Sequence, residues 1–205
     1  MSVIALAQGK GGAGKSTVAV NLAVGLDAAL VDADSPQFTS ASWAAIRNKV
    51  PPLVVTADST RGLVELVREL AKQHAYVVID APARLLEMSR AILMVADVVL
   101  VPTALTMPDM WAVQDTLAVI KEAKRERRGL KAALLFNRFR PHVKSNMELR
   151  AAAGGLSIAP LKTTLGQRVA YADAFAEGRG VLEWHDAQAK KEMRALVAEV
   201  KKFAK

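Results

Sequence analysis

Along the chain, short runs of apolar residues alternate with longer stretches in which apolar positions recur every three or four residues. The runs at 3–7, 29–32, 53–56, 76–80, 98–102 and 132–136 are nearly all apolar, the pattern of parallel strands covered on both faces. Between them, 16–26, 40–48, 60–73, 86–95, 108–126 and 143–153 keep helical spacing. Alternation of this kind predicts an α/β fold whose mostly parallel, twisted sheet is flanked by helices on both faces. The last quarter departs from it: 161–165 reads as a short final strand, and 168–177 and 186–203 as helices. No repeat, low-complexity tract or linker breaks the pattern, so residues 1–205 are expected to form one domain.

Composition narrows the chemistry. There is no cysteine, which excludes disulfides, iron–sulfur clusters and thiolate zinc sites. His74, His142 and His185 are scattered and suggest no metal cluster. The opening residues lack the basic start and cleavage site of a signal peptide, and no apolar run approaches the roughly 20 residues that span a bilayer. A cytoplasmic location is expected. The 28 Lys and Arg outnumber the 20 Asp and Glu, for a net charge of +8, which favours a polyanionic partner.

The strongest local signal lies between the first strand and the first helix. Gly9-Lys10-Gly11-Gly12-Ala13-Gly14-Lys15-Ser16-Thr17 satisfies G-x-x-x-x-G-K-[ST], a phosphate-binding loop. Its glycines let successive backbone N–H groups converge on phosphate oxygens, and the helix that follows adds free N–H groups and a positive dipole end. Lys15 is placed to bridge the β- and γ-phosphates, Ser16 to give a hydroxyl to Mg²⁺, and Thr17 to cap the α-phosphate. Lys10 is not demanded by phosphate cradling within one subunit. It reads either as a solvated loop lysine or as a cation reaching the nucleotide of a facing subunit.

Two further strands end in acids. Asp32 and Asp34 follow the second apolar run, and Asp80 closes Tyr76-Val77-Val78-Ile79. In a parallel sheet the strand C-terminal ends face the ligand crevice, so all three carboxylates are expected near the phosphates. Asp80 fits a magnesium-holding role through bound water. Asn137 places an amide at the end of the sixth run.

Lys10-Gly11-Gly12-Ala13-Gly14-Lys15-Ser16 resembles the deviant Walker A motif, KGGxGK[ST], of the ParA/MinD family of ATPases. The resemblance implies ATP and Mg²⁺ as cofactors and a homodimer that closes over two ATP molecules, with Lys10 crossing the interface. Asp32-Ala33-Asp34-Ser35-Pro36-Gln37 resembles the family's D-x-D-P-Q switch with Ser35 inserted. That match implies Asp32 near the metal and Asp34 positioning the attacking water. Ala81-Pro82-Ala83 is similar to the second switch, and Asn137 to an asparagine that hydrogen-bonds adenine. The segments 168–171 and 178–183 and the tryptophan-bearing stretch 37–43 look like those of small partition ATPases, which lack an N-terminal helix-turn-helix. Catalytic roles thereby fall to Lys10, Lys15 and Asp34, nucleotide contacts to residues 11–17 and Asn137, and metal contacts to Ser16, Asp32 and Asp80.

The same resemblance implies non-specific DNA as a ligand, a nucleoid-associated location, and a cargo-bound adaptor that stimulates hydrolysis. Two basic sets could supply phosphate contacts: Lys121, Lys124, Arg125, Arg127, Arg128 and Lys131, and, further on, Arg138, Arg140, Lys144 and Arg150, followed by Lys162 and Arg168. The first set fits equally well as charge complementing a helix end. A MinD-like membrane regulator is the competing reading, since Met193, Leu196, Val197, Val200 and Phe203 form an apolar stripe on the final helix. That stripe is narrow and flanked by Glu192 and Glu199, which favours docking on the protein's own core. A metabolic P-loop synthetase, with Lys10 acting inside one subunit, is the third reading.

Overall fold

The computed structural model describes residues 1–83 and 87–205. Its strands are β1 (Ser2–Leu6), β2 (Ala29–Asp32), β3 (Val54–Thr56), β4 (Tyr76–Asp80), β5 (Val98–Thr103) and β6 (Lys131–Phe136). They form one sheet in the order β3-β2-β4-β1-β5-β6, parallel throughout. Helices α1 (Lys15–Leu26), α2 (Thr39–Arg47), α3 (Thr60–Gln73), α4 (Glu87–Val95), α5 (Met107–Glu126), α6 (Lys144–Ala152), α7 (Val169–Ala176) and α8 (Ala187–Phe203) complete it. The helix expected at 86–95 begins, as far as it is described, at Glu87; Leu86 lies outside the described residues.

The alternation of side chains along each strand explains the apolar runs. Val3 and Ala5 face one layer with Val77, Ile79, Val99 and Val101, against α3, α4 and α5. Ile4 and Leu6 face the other with Val78, Val98 and Leu100, against α1, α7 and α8. Both faces are therefore dry, as parallel crossover topology requires. Helix α1 is buried nearly all round, because α8 and the segment around Val181 cover the side turned away from the sheet. A Cβ on Gly25 would stand 2.5 Å from Val197, so only glycine admits this α1–α8 approach.

On α8, Met193, Leu196, Val197 and Val200 are buried in this second layer. The apolar stripe that the membrane reading turns towards lipid is thus covered by the protein itself. No helix among the described residues is long and apolar enough to cross a membrane.

The strand expected at 161–165 is not a ladder. This segment runs beside β6 without continuous pairing: Leu161 N donates to the Leu134 carbonyl at 2.8 Å and Leu165 N to the Phe136 carbonyl at 2.9 Å, flanked by isolated bridges of Leu134 with Pro160 and Phe139 with Gly166. Between them the chain bows outward, and the N–H groups of Lys162 and Thr163 donate to the Glu199 carboxylate of α8, at 2.7 and 2.9 Å. A side chain has replaced the strand as acceptor, so the edge of β6 is covered without a full extra strand.

Register sets up the crevice. Asp80 pairs with Leu6 on one side and with Asp32 on the other. Strand β4 therefore lies between β1 and β2, and both carboxylates emerge directly beneath the loop that leaves β1.

Candidate functional site

The 9–17 loop wraps the N-terminus of α1 in a conformation that its glycines make possible. Gly12 and Gly14 have φ of 76° and 92°, in the left-handed region. At Gly14 a Cβ would also stand 2.2 Å from Asn137 Nδ2. That amide cannot retreat, because Nδ2 donates to the Ala13 carbonyl at 3.0 Å and Oδ1 accepts from Arg138 N at 2.9 Å. Gly14→Ala is therefore expected to cost about 2–4 kcal/mol, from left-handed backbone strain plus overpacking. A urea midpoint unchanged from wild type would show that the loop can relax.

Lys15 is buried at the loop's end, and burial lowers its ammonium pKa against the opposing pull of Asp80 and Asp34. Burial pushes the Asp80 carboxyl up to about 7; the Ser40 and Ser16 hydroxyls and Lys15 oppose that shift, and Asp32 adds to it. Ser40 Oγ donates to Asp80 Oδ2 at 2.7 Å. Among the described residues Asp80 Oδ1 has no hydrogen-bond partner, although it is fully buried. A buried acid with one unsatisfied oxygen, beside a serine hydroxyl and beneath a phosphate loop, fits a hydrated magnesium ion.

Asp32 is engaged differently. Its Oδ1 accepts from Asp34 N at 3.1 Å and its Oδ2 from Ala41 N at 2.9 Å, so it staples both ends of the segment between β2 and α2. Asp34 itself is half-buried on the wall of the cleft. Its pKa is raised by burial and by Asp32, against Lys15 and a hydrogen bond from the Ala83 backbone. The loop and this segment enclose a cleft of about 970 Å³, lined by Gly11, Gly12, Gly14, Lys15, Ser16 and Thr17 on one side and by Asp34, Pro36 and Gln37 on another. The cleft thus brings together Lys15, Ser16, Thr17 and Asp34, while Asp32 and Asp80 are buried behind its lining, Asp80 close enough to Lys15, Ser16 and Asp32 to interact with each.

Lys10 precedes the cleft-lining Gly11, its side chain 38% exposed, and its ammonium is paired with Asp109 Oδ1 in the first turn of α5. Asp109 also accepts from the Thr106 hydroxyl, and the Gly9 N–H donates to Thr116 Oγ1 at 3.1 Å. The loop is thereby tied to α5, whose start exposes Met107 and Trp111.

The basic sets divide. Arg127 pairs with Asp97 at 2.6 Å and bonds the Met94 carbonyl, while Lys131 reaches the Phe203 carbonyl. Arg168 is held by Glu192 at 2.7 Å and Arg140 by Gln167. These four are engaged within the fold; Lys121, Lys124, Arg125 and Arg128 remain on the exposed or half-exposed end of α5 and its turn.

The segment 178–183 proves to be a brace. Gly178, with φ of 65°, lies so close to α2 that a Cβ would be 2.6 Å from Arg47 N. Arg47 bonds the Gly178 carbonyl and Glu183, and stacks 5.1 Å over Trp43, whose indole N–H donates to the Arg179 carbonyl at 3.3 Å. Val181 N donates to Asn21 Oδ1 of α1 at 2.7 Å. Sequence reasoning missed Ser40, Asp109, Asn21 and Arg47, whose partners lie far away in the chain and leave no spacing signal.

Comparison with known proteins agrees with this geometry. The family described as CobQ/CobB/MinD/ParA nucleotide binding domain matches residues 4–181. Over 191 residues the chain is 31% identical to maintenance of carboxysome distribution protein A of Halothiobacillus neapolitanus, covering 88% of this chain and 86% of that protein. The septum site-determining protein MinD of Pyrococcus horikoshii, solved with Mg-ADP, superposes with a TM-score of 0.81 at 18% identity, covering 99% of this chain and 97% of that one. An ATP complex of a Cyanothece McdA variant gives 0.75 at 17% identity, covering 98% and 96%. At such identities the structural likeness is one of fold.

Proposed function

The chain belongs to the CobQ/CobB/MinD/ParA nucleotide-binding family, and on that premise we propose that it is a magnesium-dependent ATPase that positions a cellular cargo. In this reading two protomers close over two ATP molecules, and the pair binds DNA without sequence preference. An adaptor on the cargo stimulates hydrolysis and release, which draws the cargo along a gradient of nucleoid-bound protein. The observation that carries the reading is the convergence of Lys15, Ser16 and Asp34 on one cleft, with the half-satisfied carboxyl of Asp80 buried near Lys15 and Ser16 and a second lysine, Lys10, beside the cleft-lining glycines. The 31% identity to a carboxysome distribution protein supports a positioning role, with a carboxysome as one candidate cargo.

Each residue has a physical task. Converging N–H groups of residues 11–17 hold the phosphate chain, and buried Lys15 neutralises its terminal oxygens in a site where little water competes. Ser16 and Asp80 hold the metal, Asp32 keeping the wall of the cleft in register beside them. A magnesium ion held by Ser16 and Asp80 would supply positive charge to offset the negative charge that develops on the phosphates during transfer. Asp34, on the cleft wall, accepts a hydrogen bond from the attacking water and orients it. Lys10 leaves Asp109 and reaches the nucleotide of the facing subunit. Asn137 stands at the nucleoside side of the loop, the end where an adenine would lie.

The test combines pairing and DNA affinity. Asp34→Ala is expected to keep ATP binding, lose turnover and accumulate as an ATP-bound dimer in gel filtration. DNA affinity should be higher with ATP than with ADP, and its logarithm should fall with log salt at roughly −0.9 per phosphate contacted. A monomer under ATP, with Asp34→Ala hydrolysing normally, would remove both the dimer and the role given to Asp34.

A further inference from the structure

Arg138 departs from its neighbours in conformation and in company. Its φ of 53° lies in the left-handed region, which a long side chain seldom adopts and which persists only where the surroundings impose it. Here they do so on both flanks. Asn137 N donates to the Thr103 carbonyl at 2.8 Å, Arg138 N to Asn137 Oδ1 at 2.9 Å, and Phe139 N to the Leu165 carbonyl at 2.9 Å. The reversal turns the arginine out of the line of β6 onto the rim of the phosphate cleft.

A second cleft of about 620 Å³ lies beyond that rim, bounded by Gln167, Val169 and Tyr171. Gly14, Thr17 and Arg138 line both clefts. A ligand occupying the two must therefore pass between the first turn of α1 and this arginine. Two other arginines of the second cleft are engaged, Arg140 with Gln167 and Arg168 with Glu192. Among the described residues the Arg138 guanidinium has no hydrogen bond or ion pair and is exposed.

We propose that Arg138 is a nucleotide-binding residue, its guanidinium closing on the α-phosphate at the junction of the two clefts. The inference rests on the reading of the 9–17 loop as an ATP site. With the terminal phosphates against Lys15, the anionic group next to Gly14 and Thr17 is the α-phosphate, and the uncharged nucleoside continues into the second cleft. A planar guanidinium matches two phosphate oxygens at once, which a lysine at the same place would not. Asn137 is the positioning residue: one amide fixes the loop through the Ala13 carbonyl and fixes the backbone that presents the arginine.

Equilibrium titration of purified protein with ATP and with ADP, in magnesium, tests this with three variants. Arg138→Ala should weaken both nucleotides alike by roughly 10–100-fold, the scale of losing hydrogen bonds between charged groups, because both carry an α-phosphate. Arg138→Lys should recover part of that loss. Arg138→Gly should melt at or above the wild-type temperature, since glycine accepts a positive φ freely, and still lose affinity as the alanine variant does. That pairing of intact stability with lost binding separates a ligand contact from a structural role. Unchanged ATP and ADP affinity in Arg138→Gly overturns the proposal, as does a loss confined to ATP, or a loss of DNA binding with nucleotide affinity intact. Wild-type protein that bound neither nucleotide would instead sink the loop reading, and this inference with it.

Discussion

Lys15→Ala is expected to fold and to lose ATP. In the wild type the ammonium lies buried between the loop and two carboxylates, where desolvation disfavours its charge and Asp80 and Asp34 restore it. A triphosphate adds the counter-charge that this arrangement lacks. Truncating one member of a desolvated charge pair typically costs about 2–5 kcal/mol, so affinity should fall on the order of a hundredfold or more. The fold should survive, because Asp80 and Asp34 already have raised proton affinities and can neutralise themselves once the cation is gone. Isothermal titration with ATP and a circular dichroism melt, run on the same sample, check the two halves together. Near-normal ATP affinity in a folded variant would move the terminal phosphates away from Lys15.

Asp80→Asn should separate stability from function. The carboxyl's folded-state pKa of about 7 lies well above its ordinary value of 3.8, so the folded chain holds a proton that the unfolded chain has released between those limits. Its contribution to stability is therefore greatest near pH 4, declines as pH rises, and levels off above 7. At about 1.4 kcal/mol per tenfold change in proton affinity, the ceiling on that decline is about 4 kcal/mol. Asparagine has no charge to bury. Without nucleotide, Asp80→Asn should be more stable than wild type at pH 8 and show a flatter stability profile from pH 4 to 7. It should also lose magnesium-dependent ATP turnover by about a hundredfold or more, as expected when a metal site loses its anion. Urea midpoints at pH 5 and pH 8 decide the first half. A variant no more stable than wild type at pH 8 would mean that Asp80 is not strained by its own charge.

What could be read from the sequence was what is written locally. The phosphate loop is legible because the left-handed turns at Gly12 and Gly14 and the helix start at Lys15 all fall within a few residues. Strands β2 and β4 are legible because an apolar run buried on both faces ends abruptly in an acid. The docking of the final helix on the core is legible too, since its apolar stripe is narrow and flanked by Glu192 and Glu199. Less legible were pairings made by topology. The sheet order, which sets β4 beside β1 and brings Asp80 under the loop, has no local signature. Ser40 meets Asp80 only because α2 returns over the sheet, and Lys10 meets Asp109 across 99 positions of chain. At 161–165 the pattern suggests a strand, but only its two ends bond β6, and Glu199 on a later helix takes the N–H groups of Lys162 and Thr163 between them. The amide of Asn137 was located correctly at the end of β6, and its contact with Ala13, 124 residues earlier, could not be foreseen.

The brace formed by residues 178–183 limits how a filled cleft can change shape. Trp43 is sealed in the second layer and Arg47 is pinned to Gly178 and Glu183, so α2 is anchored at its middle and its end. Asp32 clips the chain at Asp34 and again at Ala41. Between these clips, with Ser40 also held on Asp80, the stretch 35–39 is the part of this wall left to adjust to a third phosphate. These anchors hold α2 against tilting, whereas the loop is tied to α5 by the Lys10–Asp109 pair and the Gly9–Thr116 hydrogen bond, with Trp111 exposed at the head of that helix.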